Sequence, residues 1–584
     1  MISNYDKNPV VRIDGHEGHC WSGWGNISAQ INKKVAELDK KKIVVAIDCY
    51  HGVYHDDLKR ELLENIKPSY SFISTNYFLP ESAIKEMIYP DVTDDRVFGF
   101  ITSLTIDQYF DKNAVEGVRN QINNIADGVV VVYGEGAAYL ASEWDLLIYV
   151  DMARWEIQQR FRRNEISNLG VVNRNKEFSL QYKQGYFVDW RVCDRHKQDV
   201  MDDWDFLLDT NDRQNPKMVT GEAVLQGLEE ASKQPFRVVP FFDPGPWGGQ
   251  WMKEVFDLDK SKENFAWCFD CVPEENSLLL GFGDQTIELP SINLVFKHPL
   301  SLLGQHVFDR FGKEFPIRFD FLDTMEGGNL SLQVHPTNEY IKEHFGMGYT
   351  QDESYYMLDA GEDAIVYLGM KENIEPKKMI DDLNKAQNGG PSFDADKFVQ
   401  QWPVKKHDHV LIPAGTVHCS GKNSMVLEIS ATPYIFTFKL WDWDRLGLDG
   451  KPRPINIKHG EKVIDWTRTK DWTEKNIVDR TETVAEGDGW TEERTGLHET
   501  QFIETRRHWF TKKVGHNTNG GVNVLNLIEG REAIVESPSD AFEPFLIHYA
   551  ETFIVPAAVG EYTISPHGES DGRECATLKA FVRK

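Results

Sequence analysis

Between Pro240 and Gly249 the chain runs Pro-Phe-Phe-Asp-Pro-Gly-Pro-Trp-Gly-Gly, and its texture differs on the two sides of that stretch. Prolines fix φ and remove backbone donors, while glycines relax the steric limits on the chain, so such a segment connects elements and does not extend one. Before it, short continuous apolar runs alternate with helical patterns. Lys42-Ile-Val-Val-Ala-Ile-Asp48 and the runs at 128–133 and 144–151 have the character of parallel strands buried on both faces. Helices are predicted over 29–42, 56–66 and 154–163, and near 221–233. Strands alternating with helices predict a doubly wound parallel sheet. After the boundary, short alternating strands recur with turn residues between them, as in an antiparallel barrel or jelly roll. At 584 residues the chain exceeds one core. The reading is a multidomain α/β plus all-β protein, divided at 1–238, 239–459 and 460–584.

The formal net charge of −28 argues against nucleic acid or an anionic membrane surface as a bulk partner. It leaves a small phosphorylated molecule open, because local site charge is independent of net charge. The N-terminus has no basic head followed by an apolar core, so no signal peptide is expected, and no apolar run approaches a membrane span. Seven cysteines are sparse and odd in number, which predicts a reducing cytoplasm. Cys268-Phe-Asp-Cys271 is a lone CxxC with no second pair and is read as structural.

The segment 129–163 resembles the P-loop uridine-kinase-like family. The resemblance lies in the strand before Gly134-Glu-Gly136 and in Asp145-Leu-Leu-Ile-Tyr-Val-Asp151, followed by Arg160, Arg162 and Arg163. A working P-loop needs glycines for phosphate approach, a Lys for the outer phosphates and a Ser/Thr for magnesium. After its first strand this chain offers Asp48-Cys-Tyr-His-Gly-Val-Tyr-His-Asp56, without Gly-Lys-Ser/Thr. The expectation is a degenerate nucleoside-kinase-like domain that binds no nucleotide, with the three arginines on a solvated helix face.

The chemistry concentrates further on. In Asn329-Leu-Ser-Leu-Gln-Val-His-Pro336 the apolar residues Leu330, Leu332 and Val334 alternate with Ser331, Gln333 and His335. Period two places the three polar residues on one face of a strand. Alone, that is as well a solvated face. Two more stretches add ligand chemistry: Glu353 opens an alternating strand, and His409-Val-Leu-Ile-Pro-Ala-Gly-Thr-Val-His418 is a strand, a turn and a histidine. Two imidazoles, a carboxylate and an amide oxygen suit zinc, with other divalent metals possible.

These stretches resemble the class I mannose-6-phosphate isomerase (phosphomannose isomerase) family of the cupin superfamily. The likeness runs from Pro246-Trp-Gly-Gly249 through Leu330–Pro336 and Glu353–Ala360 to Ile412-Pro-Ala-Gly-Thr-Val-His418 and Leu440-Trp-Asp-Trp-Asp-Arg445. It implies one zinc ion held by Gln333, His335, Glu353 and His418, and a phosphate contact at Ser331. It also implies aldose–ketose isomerisation of mannose 6-phosphate to fructose 6-phosphate through an enediol. Lys439 occupies the family's arginine position, Arg445 follows as a second cation, and both are expected to be catalytic, with Lys439 also binding substrate. A metal-activated water or a nearby carboxylate is the expected base. Lys342 is read as an exposed helix lysine. The chain departs from the family at Asp320, where a lysine is usual, at Phe265-Ala-Trp-Cys268, and at Lys439 itself. A different sugar or sugar phosphate, or a non-catalytic sugar-phosphate-binding protein, therefore stays open. His548-Tyr-Ala-Glu-Thr-Phe-Ile-Val-Pro-Ala557 echoes residues 407–414 without a histidine at the place of His418. It predicts a second, metal-free cupin.

Overall fold

The computed structural model describes residues 3–431, 434, 436–446, 453 and 455–584. The chain divides into two compact units, each discontinuous in sequence. The first comprises Val10–Glu230 with Ser277–Lys297; the second comprises Met1–Pro9, Ala231–Asn276 and His298–Lys584.

The first unit is α/β. Its seven-stranded sheet runs in the order Cys20–Ser22, Lys217–Thr220, Phe206–Asp209, Leu146–Asp151, Lys42–Cys49, Gly128–Gly134, Tyr70–Ile73. The last five are mutually parallel, and Lys217–Thr220 runs antiparallel to both of its neighbours, Cys20–Ser22 and Phe206–Asp209. The apolar run at Lys42 is the central strand, buried from Ile43 to Cys49. The first helix is Trp24–Glu37, five residues earlier at each end than the sequence pattern suggests. Asp39 takes a left-handed φ of 46° and ends it, which frees the basic residues Lys40–Lys42 to lead into the strand. The expected solvated arginine face fails at Arg160, whose side chain has no exposure. Its guanidinium donates to the carbonyls of Gly52 and Thr210 at 2.7 and 2.9 Å and stacks over Tyr54. Buried carbonyls at two strand ends need donors, and Arg160 satisfies both.

The second unit is mainly antiparallel β. A six-stranded sheet (His409–Ile412, Glu353–Ala360, Ser424–Ser430, Arg318–Asp323, Trp267–Cys271, Phe241–Asp243) and a five-stranded sheet (Val399–Pro403, Ile365–Met370, His418–Ser420, Leu332–Val334, Phe438–Trp441) form its first pair. A second pair has six strands within 482–582 and four within 514–566. Alternate residues of both its sheets, among them Phe510, Leu527, Val535, Ile547, Phe553 and Ile564, make one buried core. Cys268 and Cys271 are buried, and all seven cysteines are unpaired thiols. No described helix is long and apolar enough to cross a membrane.

Candidate metal centre

Three strands bring the predicted ligands together. Gln333 lies on Leu332–Val334, opposite His418 on one side and opposite Lys439 on the other. His335 follows directly, and Glu353 begins a strand of the facing sheet. The turn between His409–Ile412 and His418 holds the group in register. Gly415, at φ 88°, donates its N–H to the carbonyl of His335, and Ala414 donates to the Asp352 carboxylate next to Glu353. A side chain at position 415 would be strained there. That is why Pro-Ala-Gly precedes the histidine.

His335 donates its Nδ1–H to the carbonyl of Phe436 at 2.9 Å, and His418 donates its own to Thr416 at 2.8 Å. Each neutral ring is thereby fixed with its Nε2 lone pair pointing inward. Both lone pairs face the Glu353 carboxylate, at 3.0 Å from His335 and 2.7 Å from His418. The Gln333 amide stands 3.2 Å from the His418 Nε2, and a turn of that amide presents its oxygen at the same place. All four side chains are buried. Lone pairs facing a carboxylate without protons between them repel, and His335 Nε2 and Glu353 Oε1 have no hydrogen-bond partner. A divalent cation is the occupant that this donor set fits. Among the described residues, His335, Glu353 and His418 are the one trio of His, Cys, Asp or Glu within mutual metal reach. A proton on His335 would take the cation's place: despite burial, Glu353 holds the His335 imidazole above its ordinary value, and the histidines hold the Glu353 carboxyl well below its own.

Beside the ligands lies a wall of positive charge. Lys439 is half-buried, and its loss of water pushes the amine down to about 7, helped by the neighbouring Arg453 and Arg445. It is thus a cation that titrates near neutrality, unlike the arginine of the resembling family. Ser331 donates to Asp442 at 2.7 Å. Asp442 also pairs with Arg445 at 2.6 Å and Arg453 at 2.9 Å, and Arg445 reaches the carbonyl of Asn329. Arg453, which carries no sequence motif, is the member that sequence reasoning misses. Lys342 is exposed on the helix Asn338–Phe345. Asp320 sits behind the ligands, paired with Arg318 and pushed up to about 6 by burial. Nearby Glu428 is raised further by burial and by Glu353.

Residues 23–233 match a family model described as a domain of unknown function, DUF8485. Among curated proteins, the chain is 26% identical over 238 residues to mannose-6-phosphate isomerase ManA of Bacillus subtilis, covering 40% of this chain and 68% of that protein. It is 29% identical over 228 residues to mannose-6-phosphate isomerase of Streptococcus mutans, covering 37% of this chain and 64% of that protein. A crystal structure of the Bacillus subtilis mannose 6-phosphate isomerase aligns with a TM-score of 0.48 at 19% identity, over 59% of this chain and 99% of that one.

Proposed function

We propose that this chain is a zinc-dependent sugar-phosphate isomerase that interconverts mannose 6-phosphate and fructose 6-phosphate through an enediol. The observation that carries the reading is the meeting of two imidazole lone pairs, a carboxylate and an amide at one buried point, in a chain whose relatives bear that name. Gln333, His335, Glu353 and His418 would hold the zinc. When bound, it supplies Lewis-acid stabilisation of the oxygen charge that develops as a proton moves between C1 and C2.

The chain's own residues do the rest. Ser331, Lys439, Arg445 and Arg453 gather around the single carboxylate of Asp442, an excess of positive charge suited to a phosphate or a developing oxyanion. An anion at this wall draws a proton onto Lys439, because its charge offsets the repulsion from Arg453 and Arg445 that adds to burial in lowering the amine. Burial removes competing water and strengthens each of these interactions. Lys439 in place of an arginine, and Asp320 in place of a lysine, favour a second reading, an isomerase or epimerase of a different sugar phosphate.

We further propose the domain division read from the sequence, with a P-loop-kinase-like fold to residue 238, a metal-binding cupin over 239–459 and a metal-free cupin over 460–584. A cytoplasmic location is supported by seven free thiols.

A coupled assay of mannose 6-phosphate conversion tests the activity. Turnover is expected with zinc, with loss under chelation and recovery on readdition. His335→Ala is expected to lose activity and stoichiometric metal together. Absence of turnover by the zinc-loaded protein refutes this reaction, and an active His335→Ala protein refutes the ligand set.

A further inference from the structure

Where the first sheet pair of the β-rich unit gives way to the second, the structure holds a cleft of about 600 Å³, open to solvent and of a size that suits a small molecule. Its walls come from successive elements. The helix Lys470–Asn476 supplies Trp472, Lys475 and Asn476, whose spacing of three and four residues puts them on one face. The segment after it supplies Asp479 and Arg480. The strands Glu482–Gly487 and Trp490–Gly496 supply Glu482 and Arg494, opposite one another in register, and the loop beyond supplies His498 and Glu499.

The walls are held from behind. Arg468 lies over the Trp472 ring, 5.2 Å from its centre, while its Nη1 donates to the carbonyls of Pro413 and Ala414 at 2.6 and 2.7 Å. Leu411 donates its N–H to the carbonyl of Ile477 at 2.8 Å, and Asp479 donates its own to His409 at 3.1 Å. The segment that carries Arg480 is thereby tied to a strand of the first sheet pair. Walls fixed in this way lose little freedom when the cleft fills.

The polar groups of the cleft are of two kinds. Arg494 is neutralised by its ion pair with Glu482. Lys475 and Arg480 have no ion-pair partner, although acidic residues outnumber basic ones by 92 to 64 in the chain. A third guanidinium, Arg583, stands behind the loop and donates to the Glu499 carbonyl at 2.6 Å. Burial, then Arg468 and Arg583, push the His498 imidazole below its ordinary range against the pull of Glu499. The local field at that ring is therefore positive. Nδ1 of His498 accepts the backbone N–H of Thr500 at 3.3 Å, so the neutral ring keeps its proton on Nε2 and adds a donor. The second kind is acceptors. Asp479 takes the Thr481 hydroxyl at 3.3 Å and has lone pairs to spare, and Glu499 carries another carboxylate. Asn476 donates to the Trp472 carbonyl at 2.7 Å, which leaves its amide oxygen to accept.

A lysine and a forked guanidinium without partners suit one phosphate. The two carboxylates beside them repel a second anionic group, and so turn away a polyphosphate, but accept readily from hydroxyls. We propose that this cleft binds a small hydroxylated phosphate monoester, with Lys475 and Arg480 on the phosphate and Asp479 and Glu499 on the hydroxyls. The inference stands independently of the isomerase reading.

Isothermal titration of the full chain with sorbitol 6-phosphate, sorbitol and inorganic phosphate tests it. The titrations use Lys439→Met as well as wild-type protein, because Lys439→Met weakens the positive wall beside the metal centre and leaves the cleft intact. Sorbitol 6-phosphate is expected to bind both proteins, and sorbitol and inorganic phosphate to bind each about tenfold or more weakly. Adding Lys475→Met and Arg480→Met to the Lys439→Met protein is expected to weaken the ester by about tenfold or more. Both side chains are exposed, so the melting temperature should stay where it was. The proposal is overturned if the ester fails to bind Lys439→Met protein, or if it binds as tightly after Lys475 and Arg480 are replaced. Sorbitol or inorganic phosphate binding as tightly as the ester overturns it equally, the first by removing the phosphate from recognition and the second by removing the hydroxyls.

Discussion

A neutral imidazole that spends its Nδ1–H on a backbone carbonyl has one lone pair left to direct. His335 and His418 both direct theirs at Glu353. This part was legible in the sequence, because Gln-Val-His-Pro and Pro-Ala-Gly-Thr-Val-His each keep a ligand and its structural support within a few residues. The surrounding charges were less legible. Arg453 reaches Asp442 across a stretch with no periodic pattern, and the polarity of Arg160 said nothing of the two buried carbonyls that it satisfies. Lys439 is where residue chemistry makes its firmest demand. If it stabilises oxygen charge as a cation, Lys439→Met should lower kcat/KM by roughly 10²–10³, while Lys439→Arg keeps much of the activity. Steady-state kinetics of the zinc-loaded variants decide this. A Met variant as active as wild type removes Lys439 from the machinery.

At the scale of elements, the apolar runs located three of the five parallel strands but not what joins their ends. The central strand was readable because a parallel strand covered on both faces must be continuously apolar. The pairing of Ser277–Phe282 with Val10–Arg12 was not, since nothing local encodes a partner so distant in the chain. Its hairpin mate, Gln285–Pro290, carries a cost. The backbone of Glu288 donates to Asp209, which brings the two carboxyl groups together. Burial, then repulsion from Asp209, raises the Glu288 carboxyl to about 7. The folded pKa thus exceeds the unfolded value near 4.5, so folding takes up a proton. Glu288 therefore penalises the fold progressively as pH rises from about 4.5 to 7, and constantly above that. Because the side chain keeps some solvent contact, Glu288→Gln should stabilise by about 1–2 kcal/mol at pH 8 and by almost nothing at pH 4.5. Urea unfolding at the two pH values measures the difference. An equal effect at both would mean that the carboxyl titrates normally in the fold.

For the molecule as a whole, the question is whether the α/β unit binds a nucleotide. Ligands of open parallel sheets sit beyond the carboxyl ends of the strands, where helix N-termini receive phosphate. In this chain that place is taken from within. The carboxylate of Asp48, at the end of the central strand, accepts the backbone N–H groups of Gly136 and Ala138 at 3.3 and 2.7 Å, and pairs with His196 at 2.7 Å. Asp151, at the end of the next strand, is tied to Lys197 and Asn293, both at 2.7 Å. A phosphate would have to displace a buried, fully bonded carboxylate. The absent Gly-Lys-Ser/Thr points the same way from the sequence, while the carboxylate in the phosphate's place could be read only from the fold. ATP with magnesium should therefore leave the thermal transition unmoved. A site with a Kd of about 0.1 mM would add roughly 2 kcal/mol at about 5 mM ATP and shift the melt by several degrees. A saturable shift of that size, abolished by substitutions at the Gly134-Glu-Gly136 turn, would show that Asp48 gives way to nucleotide and that the unit is a working binding domain.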